Sequence, residues 1–182
     1  MQLVEWKELP MPIEFAFLDY LQTLRTPFLD QLMLFVTALA GKGELALGLG
    51  LVLLLFRRTR RAGLALLIAL LIGYLLGSVL LKPLAARVRP CNVNLAVDML
   101  VARPHSFSFP SGHATQAFAV FMTLYFAQMK RLFSVSACLG LVICFSRMYL
   151  YVHFPTDILG GALVGTLSAY AAYKIVQRIY RK

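Results

Sequence analysis

Residues 62–81 read AGLALLIALLIGYLLGSVLL, twenty consecutive residues without a charge. As a helix this stretch spans ~30 Å, the hydrocarbon thickness of a bilayer. A helix buried in a soluble core keeps a polar face over such a length. One run of this kind commits the chain to a membrane. Composition agrees, since 60% of the 182 residues are hydrophobic and 14% charged, against roughly 45–50% apolar in ordinary soluble domains.

Further apolar runs lie at 28–40, 44–56, 114–129, 132–150 and 157–177. The expected fold is therefore an all-α integral membrane protein, one domain over 1–182 with about six transmembrane helices in a bundle. The first two runs are short, are separated by Gly41-Lys42-Gly43-Glu44, and include Asp30. They are either two tilted spans or one broken one. In the N-terminal segment 1–26, Ile13, Phe15, Phe17, Leu18, Leu21 and Leu24 can line one face of an amphipathic helix. Such a helix lies at the membrane interface or packs on the bundle. Gly73-x-x-x-Gly77 and Gly161-x-x-x-Gly165 permit close helix contact, expected inside the bundle more than between copies. The oligomeric state is not legible.

The net charge of +10 raises the question of nucleic acid. Its densest cluster, Arg57-Arg58-Thr59-Arg60-Arg61, sits between two apolar runs, where a cytoplasmic anchor is the ordinary explanation. No nucleic-acid partner is expected. If the spans alternate, Lys7, Arg25, Arg57, Arg58, Arg60, Arg61, Lys130, Arg131, Lys174, Arg178, Arg181 and Lys182 share one side, and the other six Lys/Arg lie opposite. The richer side should be cytoplasmic, which places both termini inside and the long connection 82–113 outside. The N-terminus shows no basic region followed by an apolar core, so no cleavable signal is expected. Cys91, Cys138 and Cys144 lack metal-ligand spacing, and Cys138 and Cys144 read as buried apolar residues.

The outer side then collects Lys82, Arg89, His113, Arg147, His153 and Asp157. Ionisable groups at membrane segments are costly, and three cations beside two histidines and a carboxylate make an anion site with acid–base groups. Pro110-Ser111-Gly112 is a turn signal before a helical run. The helix N-terminus that follows suits a phosphate, with Ser111 offering a hydroxyl and Gly112 letting the backbone come close. Pro155 fits the first turn of the last helix, with His153 just before it and Asp157 inside it. Asp157 can then accept from one imidazole nitrogen and leave the other as nucleophile or base.

Three segments, Lys82-x6-Arg89-Pro90, Pro110-Ser111-Gly112-His113 and Ser146-Arg147-x5-His153-x3-Asp157, occur in that order over residues 82–157. Together they resemble the signature of the type-2 phosphatidic acid phosphatases. That superfamily includes membrane lipid phosphate phosphatases, bacterial undecaprenyl-diphosphate phosphatases and vanadium haloperoxidases. Residues 1–60 match only in being apolar and helical. The resemblance implies that His153 attacks phosphorus to form a phosphohistidine, that Asp157 holds its tautomer, and that His113 protonates the leaving oxygen and then activates water. It also implies that Lys82, Arg89, Ser111, Gly112 and Arg147 hold the phosphoryl oxygens. The family uses no metal, and no cofactor is expected.

The expected activity is a lipid phosphatase of the bacterial plasma (inner) membrane, multi-pass, with its site facing outside and the bilayer and a membrane lipid phosphate as its partners. Undecaprenyl diphosphate is the favoured substrate, cleaved to the monophosphate. Phosphatidylglycerophosphate, phosphatidic acid or a lipid A phosphate stay open, because substrate-reading residues fall outside the motifs. A haloperoxidase with vanadate in the phosphate pocket, or an anion transporter using the cations as a filter, are the readings from other classes. His105 is expected to be a loop or supporting residue, and Arg87 and Arg103 either attract the headgroup or are ordinary loop charges. Tyr149 and Tyr151 are expected in an interfacial aromatic belt.

Overall fold

The computed structural model describes residues 12–41 and 43–181. Residues 1–11, with Lys7, and also Lys42 and Lys182, lie outside the described residues. Among the described residues every regular element is helical: α1 (Pro12–Thr23), α2 (Pro27–Ala40), α3 (Glu44–Leu55), α4 (Arg60–Gly73), α5 (Gly112–Phe126), α6 (Lys130–Tyr149) and α7 (Pro155–Ile179). Helix α4 continues as a wider π-helix over Tyr74–Leu81 and a last turn at Lys82–Ala85. A single turn, Pro90–Val93, interrupts the connection to α5.

Local chemistry sets the helix starts. Thr26 accepts from the Leu29 amide with Pro27 at the first position of α2. Ser111 caps α5 by accepting from the Ala114 amide. At α7, Pro155 opens the helix and the Asp157 carboxylate accepts from the Phe154 amide at 2.8 Å. The expected break between His153 and Asp157 is present.

Arg60–Val93, Lys130–Tyr149 and Pro155–Ile179 are each long and apolar enough to cross a membrane, and α2 with α3 makes a fourth span only as a pair bent by 47°. Leucines such as Leu71, Leu141 and Leu159 stay exposed on these helices, as a surface facing lipid requires. The chain is an integral membrane protein.

Of the two arrangements expected for 28–40 and 44–56, α2 and α3 have the length for a crossing only as one bent pair. Asp30 accepts from the Tyr149 hydroxyl and Thr37 accepts from Arg147. These two contacts tie α2 to the C-terminal end of α6.

The N-terminal region is placed differently from expectation. Arg25 donates to the Asp98 carbonyl at 2.8 Å and pairs with Asp30 at 3.2 Å, so it belongs to the end that carries the 86–111 connection. Helix α1 lies there too, with Phe15 and Leu18 buried against Leu150, Tyr151 and Phe154. The last residues of α7 lie at the other end, where Arg61 stacks on the Tyr180 ring at 4.6 Å. Helix α1 and the last residues of α7 therefore lie at opposite ends of the helix bundle.

Helix α5 is the central post. A Cβ on Gly161 would come within 2.5 Å of the Ser111 carbonyl, and one on Gly165 within 2.3 Å of the Thr115 carbonyl. A Cβ on Gly73 would come within 3.0 Å of the Thr115 methyl, while one on Gly77 would make only ordinary contact with Thr115 at 3.6 Å. The close approach within the chain is thus strictest at Gly161 and Gly165. Gly165→Val should therefore force α7 off α5 at a cost of about 1–3 kcal/mol, read as a lower melting temperature in detergent. Cys144 is buried as expected, whereas Cys138 is exposed on the outer surface of α6.

Candidate active site

The site is assembled at the end where α4 finishes, α5 and α7 begin, and α6 stops. The π-helical stretch closes with the Lys82 amide bonded to the Gly77 carbonyl, and Ala86 then turns the chain with φ 44°. Arg89 emerges in extended backbone before Pro90. Two prolines and a left-handed residue replace the helical face that could have carried Lys82 and Arg89 together.

His153 is 2% exposed and sits in the short connection between α6 and α7. Its Nε2 lies 3.1 Å from Arg89 Nη1. A guanidinium only donates, so Nε2 accepts and carries the free lone pair. The ring proton is then on Nδ1, which faces Asp157 Oδ2 at 3.4 Å and Ser108 Oγ at 3.5 Å. Burial pushes the His153 imidazole down, to about 3, against the upward pull of its hydrogen bond to Asp157. The ring is neutral at physiological pH.

Asp157 is fully buried and its two oxygens have separate partners. Oδ2 accepts from the Phe154 amide and from the Ser108 hydroxyl, and faces His153. Oδ1 accepts from Arg87 Nη1 at 2.6 Å.

The charged groups meet at this end. Arg89 and Arg147 both act electrostatically on His113 and on His153, while Lys82 acts on His113 and is itself influenced by Asp157. Arg89 is locked by the Val152 and Ser106 carbonyls at 2.8 and 2.7 Å. Arg147 donates to Thr37, yet its buried Nε has no hydrogen-bond partner among the described residues. An unpaired buried donor beside two other cations suits an anion. Ser111 is buried at the start of α5, its amide donating to the Asp157 carbonyl at 3.0 Å. The Gly112 Cβ position is open, with no atom within 4 Å. His113 hydrogen-bonds to the Gly41 backbone and borders an apolar cleft with Leu45, Leu49 and Leu139.

Four participants were not singled out from the sequence as site residues. Ser108 and Glu14 carry no local signal, since their partners lie 49 and 73 residues away. Gly41 stood out only as part of a helix break, and Arg87 as a headgroup-attracting residue or an ordinary loop charge. Arg87 faces the interior, paired with Asp157 and Glu14. Arg103 donates to the Leu95 and Val97 carbonyls and so shapes the loop, and His105 is exposed. Tyr149 and Tyr151 do not form a belt. Both are buried, with hydroxyls donating to Asp30 and Asp19 at 2.7 Å.

Residues 62–181 match the PAP2 superfamily. An undecaprenyl-diphosphatase of Sulfolobus acidocaldarius is 32% identical over 123 residues, covering 68% of this chain and 59% of that protein. Phosphatidylglycerophosphatase B of Bacillus subtilis is 30% identical over 173 residues, covering 87% of this chain and 80% of that protein. Among solved structures, a transmembrane PAP2-type phosphatidylglycerolphosphate phosphatase from Bacillus subtilis superposes with a TM-score of 0.75 at 30% identity, covering 92% of this chain and 86% of that one.

Proposed function

The chain belongs to the PAP2 superfamily, and from that premise we propose that it is an integral membrane phosphatase hydrolysing a lipid phosphate or diphosphate through a phosphohistidine at His153. The observation that carries this reading is the Arg89–His153–Asp157 arrangement, in which Arg89 marks Nε2 as the lone-pair nitrogen and Asp157 faces the protonated Nδ1. Nε2 attacks phosphorus while the bond to the lipid-side oxygen breaks. His113 gives that oxygen its proton, and the lipid leaves. His113 then takes a proton from water, the hydroxide attacks the phosphohistidine, the N–P bond breaks and inorganic phosphate departs.

Lys82, Arg89, Arg147, Ser111 and the Gly112 amide hold the phosphoryl oxygens, most strongly as charge spreads in the transition state. Asp157 stabilises the positive charge that the ring acquires. Three fixed cations supply the electrostatics that a divalent ion supplies in other phosphoryl-transfer sites, so a chelator should leave turnover unchanged. Strong inhibition by EDTA would contradict this.

The site end faces outward and the opposite end, with Arg57 to Arg61, Lys130, Arg131, Lys174, Arg178 and Arg181, faces the cytoplasm. Nine of the described basic residues lie at that opposite end against six at the site end, and two of those six are paired with carboxylates, Arg25 with Asp30 and Arg87 with Glu14 and Asp157. A lipid then enters sideways with its headgroup at the outer surface. Undecaprenyl diphosphate is the favoured substrate, released as the monophosphate, and phosphatidylglycerophosphate is the first competitor. Phosphate release from defined lipids in detergent decides between them. The reading expects the highest kcat/KM on undecaprenyl diphosphate, and a clear preference for phosphatidylglycerophosphate or phosphatidic acid would replace it.

A further inference from the structure

Arg87 stands five residues after Lys82 and two before Arg89, on a loop whose backbone is fixed by the Ser108 amide donating to the Arg87 carbonyl at 2.7 Å. Its guanidinium spans two carboxylates from distant parts of the chain. Nη1 donates to Asp157 Oδ1 at 2.6 Å and to Thr156 Oγ1 at 2.7 Å, and Nη2 donates to Glu14 Oε2 at 2.6 Å. The guanidinium also lies 4.1 Å from the centre of the Phe154 ring, whose edge contacts Phe15 of α1. The side chains of Arg87, Glu14 and Asp157 are 16%, 11% and 0% exposed. This is an interior network, not a surface ion pair.

We propose that Arg87, braced by Glu14 of α1, is a positioning residue for the catalytic carboxylate: it holds Asp157 Oδ1 so that Oδ2 stays directed at His153. The inference rests on the reading of His153 as nucleophile and Asp157 as its orienter. A carboxylate anchored through one oxygen only can rotate about its own axis and exchange the two. With Arg87 on Oδ1, and Phe154, Ser108 and His153 on Oδ2, that rotation breaks four contacts at once. The planar fork of arginine is needed, because its two terminal nitrogens serve different acids.

Glu14 has a distinct part. Arg87 alone would offset the negative charge that Asp157 must present to the imidazolium formed on attack. Glu14 balances Arg87, so that the three groups together carry the charge of one carboxylate. Glu14 is itself held from below, accepting from the Thr156 amide at 3.0 Å and the Thr156 hydroxyl at 2.7 Å. Helix α1 is thereby part of the active site rather than a cover on the bundle.

The test uses the full chain in detergent, with kcat, KM and melting temperature measured for Arg87→Ala, Arg87→Lys, Glu14→Gln, the Arg87→Ala/Glu14→Gln double variant and Asp157→Asn. Groups that orient metal ligands change activity about 10–100-fold when removed, and Arg87→Ala should fall in that range through kcat, with KM nearly unchanged. Arg87→Lys should recover part of the loss. Added guanidinium ion should restore turnover to Arg87→Ala but not to Glu14→Gln. The double variant should be no worse than Arg87→Ala, because Glu14 acts through Arg87.

Normal kcat in Arg87→Ala alongside an inactive Asp157→Asn would overturn this inference and leave the phosphatase reading standing. A loss that tracks the folded fraction, without guanidinium rescue, would also overturn it, reducing Arg87 to a staple for α1. A fully active Asp157→Asn would sink the phosphatase mechanism and this inference together.

Discussion

Replacing His153 with alanine should reduce phosphate release by about four orders of magnitude or more, the scale seen when a nucleophile is removed from a cooperating catalytic set. No neighbouring side chain can take over. Ser108 already donates to Asp157, and Ser111 is buried as the cap of α5. Arg89 loses one contact but keeps its bonds to the Val152 and Ser106 carbonyls, so the substrate should still bind, and the loss should appear in kcat rather than KM. Removing a buried ring also leaves a void, so His153→Gln, which keeps most of the volume, is the companion variant. Both should be inactive while melting within a few degrees of the parent. Turnover near the parent value in either would end the nucleophile assignment.

His113→Ala should behave differently, and the difference identifies its role. An acid–base group of this kind contributes typically about 10²–10⁴-fold, and that full loss is expected with a lipid substrate, whose alkoxide or phosphate leaving group needs a proton. An aryl phosphate with an acidic phenol does not need one. With that substrate the first step should survive and the second should fail, since no group remains to deprotonate water. The expected record is a burst of about one phenol per enzyme, followed by near-silence. Equal losses with both substrates, and no burst, would show that His113 only holds the phosphate.

Much of this site was legible in the sequence because its key pieces are local. Residues 62–81 needed a membrane, the 110–113 turn needed a helix after it, and Pro155 separated His153 from Asp157. The long-range pieces were not legible. Glu14 meets Arg87 across 73 residues and Thr156 across 142, and no spacing rule reaches that far. The apolar runs 28–40 and 44–56 allowed two tilted spans or one broken one, and their helices are long enough to cross only as a bent pair. Asp30 and Thr37 tie the first of these helices to Tyr149 and Arg147 at the end of α6. Tyr149 and Tyr151 followed the same logic, since a nearby carboxylate on α1 or α2 for each hydroxyl made burial favourable over an interfacial belt. The placement of Arg25 fell with that of α2, as the two are joined through Asp30.

The mechanism turns on a covalent phosphoryl group on His153 Nε2. Substrate labelled in its terminal phosphate, quenched within the first turnover and digested, should leave label on the peptide containing His153. The bond should be stable to base and labile to acid, as a phosphoramidate is. With a labelled aryl phosphate it should accumulate in His113→Ala, and with either substrate it should vanish in His153→Ala. Phosphate release at the normal rate with no labelled peptide, or label on any residue other than His153, would rule out His153 as the nucleophile.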